Sequence, residues 1–258
     1  MPAPYERLFL TGIGVAEDRV PSRDVYPYTI PTIAGLRDLP FKQPVTFLVG
    51  ENGTGKSTLL EAIAVAWGLN PEGGSMNFHF STRDTHSGLG NALRLSRGRH
   101  RPRDGFFLRA ESFYNVATAI DAMDGEPSFA PRVIASYGGK SLHEQSHGES
   151  FFALFMHRLG VDGLYLFDEP EAALSPQRQM AFLARMHDLV NDGAHFIIAT
   201  HSPILMAYPD ATIYLLDDGP PREVAYRDTE HYTVTRNFLL RTEQMLDVLL
   251  DRKPEPDE

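Results

Sequence analysis

The sequence predicts an α/β fold in which a mainly parallel sheet is flanked by helices on both faces. Short apolar runs typical of buried strands alternate along the chain with longer stretches that have helical periodicity. Of the 258 residues, 42% are hydrophobic, which is enough for one well-packed core. No linker marks a boundary, so we expect a single domain over residues 1–258.

The predicted strands are apolar runs that stop at turn residues. The clearest is VTFLV (45–49), a β-branched run that breaks at Gly50. The others are residues 7–13, 105–110, 163–167, 195–200 and 212–216. Between the first two strands, residues 18–44 are rich in proline and turn residues, which indicates irregular strands and loops.

The predicted helices follow the strands. Residues 56–69 have helical periodicity, and residues 149–160 form a broad apolar face that ends at a glycine. Residues 176–192 are amphipathic, with a proline in the first turn and a glycine after the last. An amphipathic helix over 234–250 closes the fold, and we expect the tail at 251–258 to be disordered.

Composition excludes several classes of protein. There is no cysteine, which excludes disulfides and thiolate metal sites and suits a reducing cytosol. No apolar run approaches the roughly 18 residues that span a membrane, and the N-terminus MPAPYERLFL lacks the pattern of a signal peptide. A net charge of −10 argues against a protein that simply coats nucleic acid. We therefore expect a cytoplasmic location and no membrane partner.

The stretch GENGTGKST (50–58) matches the phosphate-loop pattern G-x-x-x-x-G-K-[ST] between a predicted strand and a predicted helix. Glycines let consecutive N–H groups turn inward around phosphates, and the helix N-terminus adds partial positive charge. Lys56 is expected to reach the β- and γ-phosphates, and the Ser57 hydroxyl to bind Mg²⁺. The predicted ATP-binding residues are Glu51, Asn52, Gly53, Thr54, Gly55, Lys56, Ser57 and Thr58.

Two further motifs stand at predicted strand ends. Asp168 and Glu169 follow an apolar run, where Asp168 is expected to hold Mg²⁺ and Glu169 to polarise the attacking water. His201 follows the strand HFIIAT and is expected to reach the γ-phosphate. The alternatives are a solvated acidic turn and a structural histidine.

In this order the motifs resemble those of the ABC-type ATPases, which implies a P-loop NTPase of ABC type with an antiparallel N-terminal portion and a small helical lobe near 112–160. The family's signature loop corresponds to Ser146-His147-Gly148-Glu149. The resemblance implies that Ser146 and Gly148 contact ATP held by a second copy, so that ATP binding forms a head-to-tail homodimer. The alternative is a capping box, with Ser146 and Glu149 closing the helix.

DEPEAALSP (168–176) looks more like the soluble branch of the family, the chromosome-maintenance, recombination and overcoming-lysogenisation ATPases, than like transporter subunits. GENGTGKST, FFLRAESF and SHGES also resemble motifs of a group of small stand-alone ATPases of about this length. Glu111 stands where the family has a glutamine, which implies a metal contact whose charge Arg109 would offset; the alternative is a helix cap.

A basic cluster occurs in RLSRGRHRPRD (94–104). Its five arginines are Arg94, Arg97, Arg99, Arg101 and Arg103. Arginine suits phosphate recognition, so nucleic acid is a possible partner, but no aromatic residue is interleaved for base stacking. A solvated loop and an acidic partner protein are the alternatives.

These observations together predict Mg²⁺-dependent ATP hydrolysis by a nucleotide-bridged dimer that acts as a switch on an unknown partner. The first alternative is an ATP-gated module with negligible turnover that binds nucleic acid or protein. The second is a transporter motor, against which DEPEAAL, SHGE and the absent loop glutamine argue.

Overall fold

The computed structural model describes residues 8–71, 73–75, 88–109, 117–118, 120–121, 124, 133–137, 139 and 147–252. Its strands are β1 (Leu10–Val15), β2 (Asp38–Pro40), β3 (Val45–Val49), β4 (Gly74–Ser75), β5 (Leu93–Arg97), β6 (Asp104–Arg109), β7 (Gly163–Asp168), β8 (His195–Ala199), β9 (Thr212–Leu215) and β10 (Arg222–Glu223). Its α-helices with defined bounds are α1 (Pro31–Gly35), α2 (Lys56–Trp67), α3 (Leu89–Ala92), α4 (His147–Ala153), α5 (Pro176–Asn191), α6 (Glu230–Leu240) and α7 (Thr242–Leu249).

The main sheet has the strand order β10-β9-β3-β8-β7-β6-β4. The five strands from β9 to β6 are parallel to their neighbours, and only the short outer strands β10 and β4 are antiparallel. A smaller antiparallel sheet pairs β1 with β2 and with β5. The predicted mainly parallel sheet with an antiparallel N-terminal portion is therefore confirmed.

Two buried clusters lie on opposite faces of the main sheet because successive strand residues point to opposite sides. Phe47 belongs to one cluster and Leu48 to the other. Leu59 and Ile63 of α2 pack in the cluster with Leu48, whereas Phe182 of α5 packs in the cluster with Phe47. Helices thus cover both faces, as the continuously apolar strands predicted.

Most predicted elements match within one or two residues, and three differ more from their predicted bounds. The first strand begins at Leu10 rather than at residue 7. The helix predicted over 149–160 begins at His147 and becomes a π-helical turn at Leu154–Arg158. The prediction of a single helix over 234–250 was wrong, because two helices, α6 and α7, cover this stretch.

The last helix is interrupted at Arg241, where φ is −137° and ψ is 41°. Next to the break, the Thr242 hydroxyl donates a 2.7 Å hydrogen bond to the carbonyl of Phe238. A hydroxyl that bonds back to the preceding turn competes with the helical ladder and bends the helix. Helical periodicity alone does not report this local competition.

Two expectations lie mainly outside the described residues. Most of the predicted helical lobe near 112–160 precedes residue 147, and most of the tail follows residue 252. Within the described ranges, every helix is too short or too polar to cross a lipid bilayer.

Candidate active site

The site forms at the carboxyl edge of the parallel strands. The phosphate loop leaves β3 at Gly50, Asp168 ends β7, and His201 follows β8. Asp168 is in register with Ala199 of β8, which is in register with Leu48 of β3. Parallel pairing therefore brings the three predicted motifs to one edge, where open α/β sheets bind ligands.

The phosphate loop has the backbone that its glycines permit. At Gly50 φ is 146°, and a Cβ there would lie 2.0 Å from the carbonyl oxygen of Leu216. Gly55 precedes α2 with φ of 97°, in the left-handed region that disfavours other residues. Any side chain at Gly50 would therefore push the loop away from the neighbouring β9 turn.

Lys56 is buried beneath this loop. Its ammonium donates to the carbonyl oxygens of Gly50 at 2.8 Å and Glu51 at 2.9 Å. Burial lowers the pKa of Lys56, while the carboxylates of Glu169 and Asp168 act in the opposite direction. The ammonium is therefore held inside the loop, at the position where phosphate charge would arrive.

The predicted nucleotide residues surround one small cavity. Its volume is about 230 Å³, and its lining consists of Tyr26, Ile30, Asn52, Gly53, Gly55, Lys56, Ser57, Thr58 and Glu169. The remaining two loop residues support the turn, since the Thr54 hydroxyl donates to the Glu51 carbonyl at 2.9 Å.

Ser57 and Asp168 form the pair expected at a magnesium site. The Ser57 hydroxyl donates to Asp168 Oδ1 at 2.9 Å, and Arg109 Nε lies 3.7 Å from Asp168 Oδ2. No cluster of three or more metal-binding side chains occurs among the described residues. Nucleotide-bound Mg²⁺ needs few protein ligands because phosphate and water oxygens complete its shell. The Ser57–Asp168 pair therefore fits Mg²⁺ bound together with ATP.

Glu169 and His201 approach each other across the site. His201 Nε2 lies 3.6 Å from Glu169 Oε1. Glu169 has φ of 51° and ψ of 52°, an unusual conformation for a non-glycine residue, of the kind that clusters at active sites. Burial and the nearby Lys56 ammonium lower the pKa of His201, so its ring is neutral near pH 7.

Sequence reasoning missed three neighbours of these groups. Glu171 Oε1 accepts a 2.6 Å hydrogen bond from the His201 backbone N–H, so Glu171 ties the β7 turn to the β8 turn. Nε2 of His231, on α6, lies 2.9 Å from Nδ1 of His201. The Tyr26 hydroxyl shares a 3.1 Å hydrogen bond with Thr58. Only Glu171 stands near a recognised motif, because DEPEAAL contains it.

Part of the signature loop can be located. Helix α4 begins at His147, and Gly148 packs so closely that a Cβ there would lie 2.8 Å from the Ala173 carbonyl oxygen. Gly148 therefore has a packing role within its own chain, in addition to the predicted contact with a second copy. Ser146 and Glu111 lie outside the described residues, and their predicted roles stay predictions.

The arginine cluster divides into two parts. Arg94 contacts Asp38 at 2.9 Å, Arg103 contacts Asp162 at 3.4 Å, and the Arg97 guanidinium lies over the Trp67 ring at 4.5 Å. By contrast, the remaining two arginines, at positions 99 and 101, are exposed and form no ion pair within the described chain.

Two family models match separate parts of the chain. The family model described as "AAA domain" matches residues 33–99, and the one described as "AAA domain, putative AbiEii toxin, Type IV TA system" matches residues 138–207. The SMC head domain from Thermotoga maritima is 15% identical, with a TM-score of 0.43, over 84% of this chain and 98% of that chain. A likeness at that score carries no weight.

Two curated relatives are more similar in sequence. The cytochrome c biogenesis ATP-binding export protein CcmA of Rhodopseudomonas palustris (strain HaA2) is 31% identical over 61% of this chain and 78% of the relative. The hemin import ATP-binding protein HmuV of Nocardia farcinica (strain IFM 10152) is 30% identical over 71% of this chain and 69% of the relative. Similarity over more than two thirds of such proteins, together with the site described above, identifies this chain as a member of the ABC-type ATPases, which bind and hydrolyse ATP.

Proposed function

We propose that the chain hydrolyses Mg²⁺-ATP as a head-to-tail homodimer and that its nucleotide state switches its contact with a partner. The observation that carries the proposal is the convergence of Lys56, the Ser57–Asp168 pair and the Glu169–His201 pair at one edge of the sheet. Their charges and hydrogen-bonding groups match the needs of phosphoryl transfer, which depends mainly on positioning and electrostatic stabilisation.

Each side chain has a role that its surroundings support. The Lys56 ammonium offsets charge on the β- and γ-phosphates, and Ser57 and Asp168 hold Mg²⁺, which neutralises phosphate charge when bound. Glu169 orients the attacking water and accepts its proton, because its carboxylate borders the cavity. His201 donates a hydrogen bond to a γ-phosphate oxygen from the opposite side.

Tyr26 gives the nucleotide base a surface. Tyr26 borders the cavity beside the phosphate loop and is 66% exposed, although its hydroxyl shares a hydrogen bond with Thr58. An aromatic ring in this position offers a face on which adenine can stack.

The proposed dimer closes the site from the other side. Glu169 borders the cavity with a side chain that is 41% exposed, so one chain leaves this edge open. Ser146 and Gly148 of a second copy would complete the phosphate contacts with a hydroxyl and a backbone N–H. Two nucleotides would then be enclosed between two chains.

The test of the dimer is the solution mass of Glu169→Gln, measured by light scattering. Replacing the carboxylate with an amide should slow hydrolysis and leave ATP bound, so we expect a dimer with Mg²⁺-ATP and a monomer with Mg²⁺-ADP. Adding Ser146→Arg to the same variant should restore the monomer in Mg²⁺-ATP. An unchanged mass in both nucleotides would contradict the sandwich.

A transporter motor is the second candidate, because the similar proteins CcmA and HmuV are named as export and import ATP-binding proteins. Such a motor would retain a membrane subunit during purification from detergent-solubilised membranes. A switch of the soluble type would instead be recovered without one and would turn over ATP in the absence of lipid.

Nucleic acid is the partner favoured by Arg99 and Arg101, which are exposed and form no ion pair among the described residues. We expect Arg99→Glu with Arg101→Glu to weaken duplex DNA binding. The slope of log Kd against log salt concentration should become shallower by about two, because about two phosphate contacts are lost. The matched control is Arg94→Glu, since Arg94 already pairs with Asp38. Equal affinity for the double variant and the parent protein would exclude a role for these two arginines.

ATP turnover with and without DNA then distinguishes an active switch from an ATP-gated binding module.

A further inference from the structure

His231 is held firmly against the site although it lies 30 residues after His201. Thr229 is 1% exposed and caps α6, because its side chain accepts a hydrogen bond from Tyr232 N–H at 3.3 Å. Just before the cap, the Tyr226 hydroxyl donates to the Pro203 carbonyl at 2.8 Å. The start of α6 is thereby fastened to the turn that carries His201.

The two imidazole rings share one hydrogen bond. His201 Nδ1 and His231 Nε2 are 2.9 Å apart, and burial lowers the pKa of both rings, so the pair is neutral near pH 7. A neutral imidazole has one donor and one acceptor nitrogen. One proton therefore lies between the rings, and it belongs either to His201 Nδ1 or to His231 Nε2.

The outer nitrogens decide between these two arrangements. His201 Nε2 forms no hydrogen bond within the described chain, and Glu169 Oε1, an acceptor, lies 3.6 Å from it. His231 Nδ1 is buried and has no hydrogen-bond partner among the described residues.

If His231 Nε2 donates, His201 presents an N–H toward the Glu169 carboxylate and His231 buries only a lone pair. If His201 Nδ1 donates, a lone pair faces the carboxylate and His231 buries an unpaired N–H. Orphaned buried N–H groups are rare in proteins, and a lone pair against a carboxylate is repulsive. The first arrangement is therefore favoured on both counts.

The geometry points to His231 as a positioning residue that holds His201 in the Nε2–H tautomer. The inference rests on the proposed function, because Nε2–H is the group assigned there to the γ-phosphate oxygen. A histidine in the other tautomer would present an acceptor to that oxygen, which is itself an acceptor. His231 thus acts through His201 and makes no contact with phosphate.

The test compares His231→Phe, which cannot donate, with His231→Gln, whose amide N–H₂ can replace the ring donor. We expect Phe to lower kcat for ATP roughly 10-fold to 100-fold with KM within a factor of about two, and Gln to recover most of the loss. The matched control is His187→Phe, a histidine that pairs with the Tyr208 hydroxyl instead. It should leave kcat unchanged.

A second readout needs no nucleotide. Nitrogen-15 NMR of the histidine rings should report His201 as the Nε2–H tautomer in the parent protein and in His231→Gln, and as a mixture in His231→Phe. An unchanged His201 tautomer in His231→Phe would overturn the inference, as would equal losses of kcat in the Phe and Gln variants.

Failure of the proposed function has a different signature. If His201→Ala turns over ATP like the parent, His201 has no role at the γ-phosphate, whatever its tautomer. If His201→Ala is impaired and His231→Phe is not, the role of His201 stands and the role of His231 falls.

Discussion

Lys56→Ala is expected to lower ATP turnover by roughly 100-fold or more, the scale seen when one preorganised electrostatic contact is removed. The ammonium is buried and held by the carbonyls of Gly50 and Glu51, so no other side chain can take its place without rebuilding the loop. The same change should abolish the rise in Tm on adding ATP, since only a ligand that binds the native state raises Tm.

The matched control for this change is Lys42→Ala. Lys42 is exposed and forms a 2.6 Å ion pair with Glu223 on the chain surface. Exposed pairs contribute little to stability, so this variant should keep both turnover and the ATP-dependent rise in Tm. Normal turnover by Lys56→Ala would show that the loop does not hold the transferred phosphate.

Asp168→Asn is expected to separate ATP binding from magnesium dependence. Asparagine has the same shape and can still accept the hydrogen bond from Ser57, so the fold should persist. The amide has no charge for a hard cation, and we expect turnover in Mg²⁺ to fall roughly 100-fold. The rise in Tm with ATP should become the same in Mg²⁺ and in EDTA.

Asp162→Asn provides the control for the loss of one carboxylate. Asp162 lies in the turn immediately before β7, has φ of 51° and pairs with Arg103 at 3.4 Å. Asparagine tolerates that backbone conformation, so turnover and its dependence on Mg²⁺ should be preserved. A Mg²⁺ dependence in Asp168→Asn like that of the parent would assign the metal to other ligands.

These variants also change the balance between the Lys56 ammonium and the carboxylates near it. Lys56 is surrounded by carboxylates at Glu51, Asp168, Glu169 and Glu171. Burial raises the pKa of Glu171, whose oxygen is occupied by the His201 backbone N–H. Glu171 therefore stabilises the turn before His201, whereas Glu169 borders the cavity where phosphate would bind.

Much of the fold could be predicted because strands, loops and helix starts depend on residues that are adjacent in the sequence. VTFLV is a strand in the structure with the predicted bounds, and α2 begins at Lys56 as the loop motif requires. Alternating apolar strands and helices also predicted the parallel sheet, and parallel pairing in turn brings Gly50, Asp168 and His201 to the same edge.

Prediction failed where a contact depends on distant chain segments. His231 belongs to a stretch that reads only as the beginning of an amphipathic helix, and Tyr26 belongs to a proline-rich stretch without periodicity. No sequence pattern around His231 or Tyr26 indicates its contact with His201 or Thr58. The interruption at Arg241 was missed for a related reason, since a single hydroxyl bonding to the preceding turn leaves the apolar pattern intact.

The sequence by itself determined the phosphate loop, the acidic strand end and the chemistry they share, because each depends on residues that are adjacent in the chain. Only the tertiary structure decided which side chains support that chemistry. It set Glu171 under the His201 backbone, His231 against the His201 ring and Tyr26 beside Thr58. Such contacts follow from strand register and helix docking, which are set by the packing of the whole core rather than by any one segment.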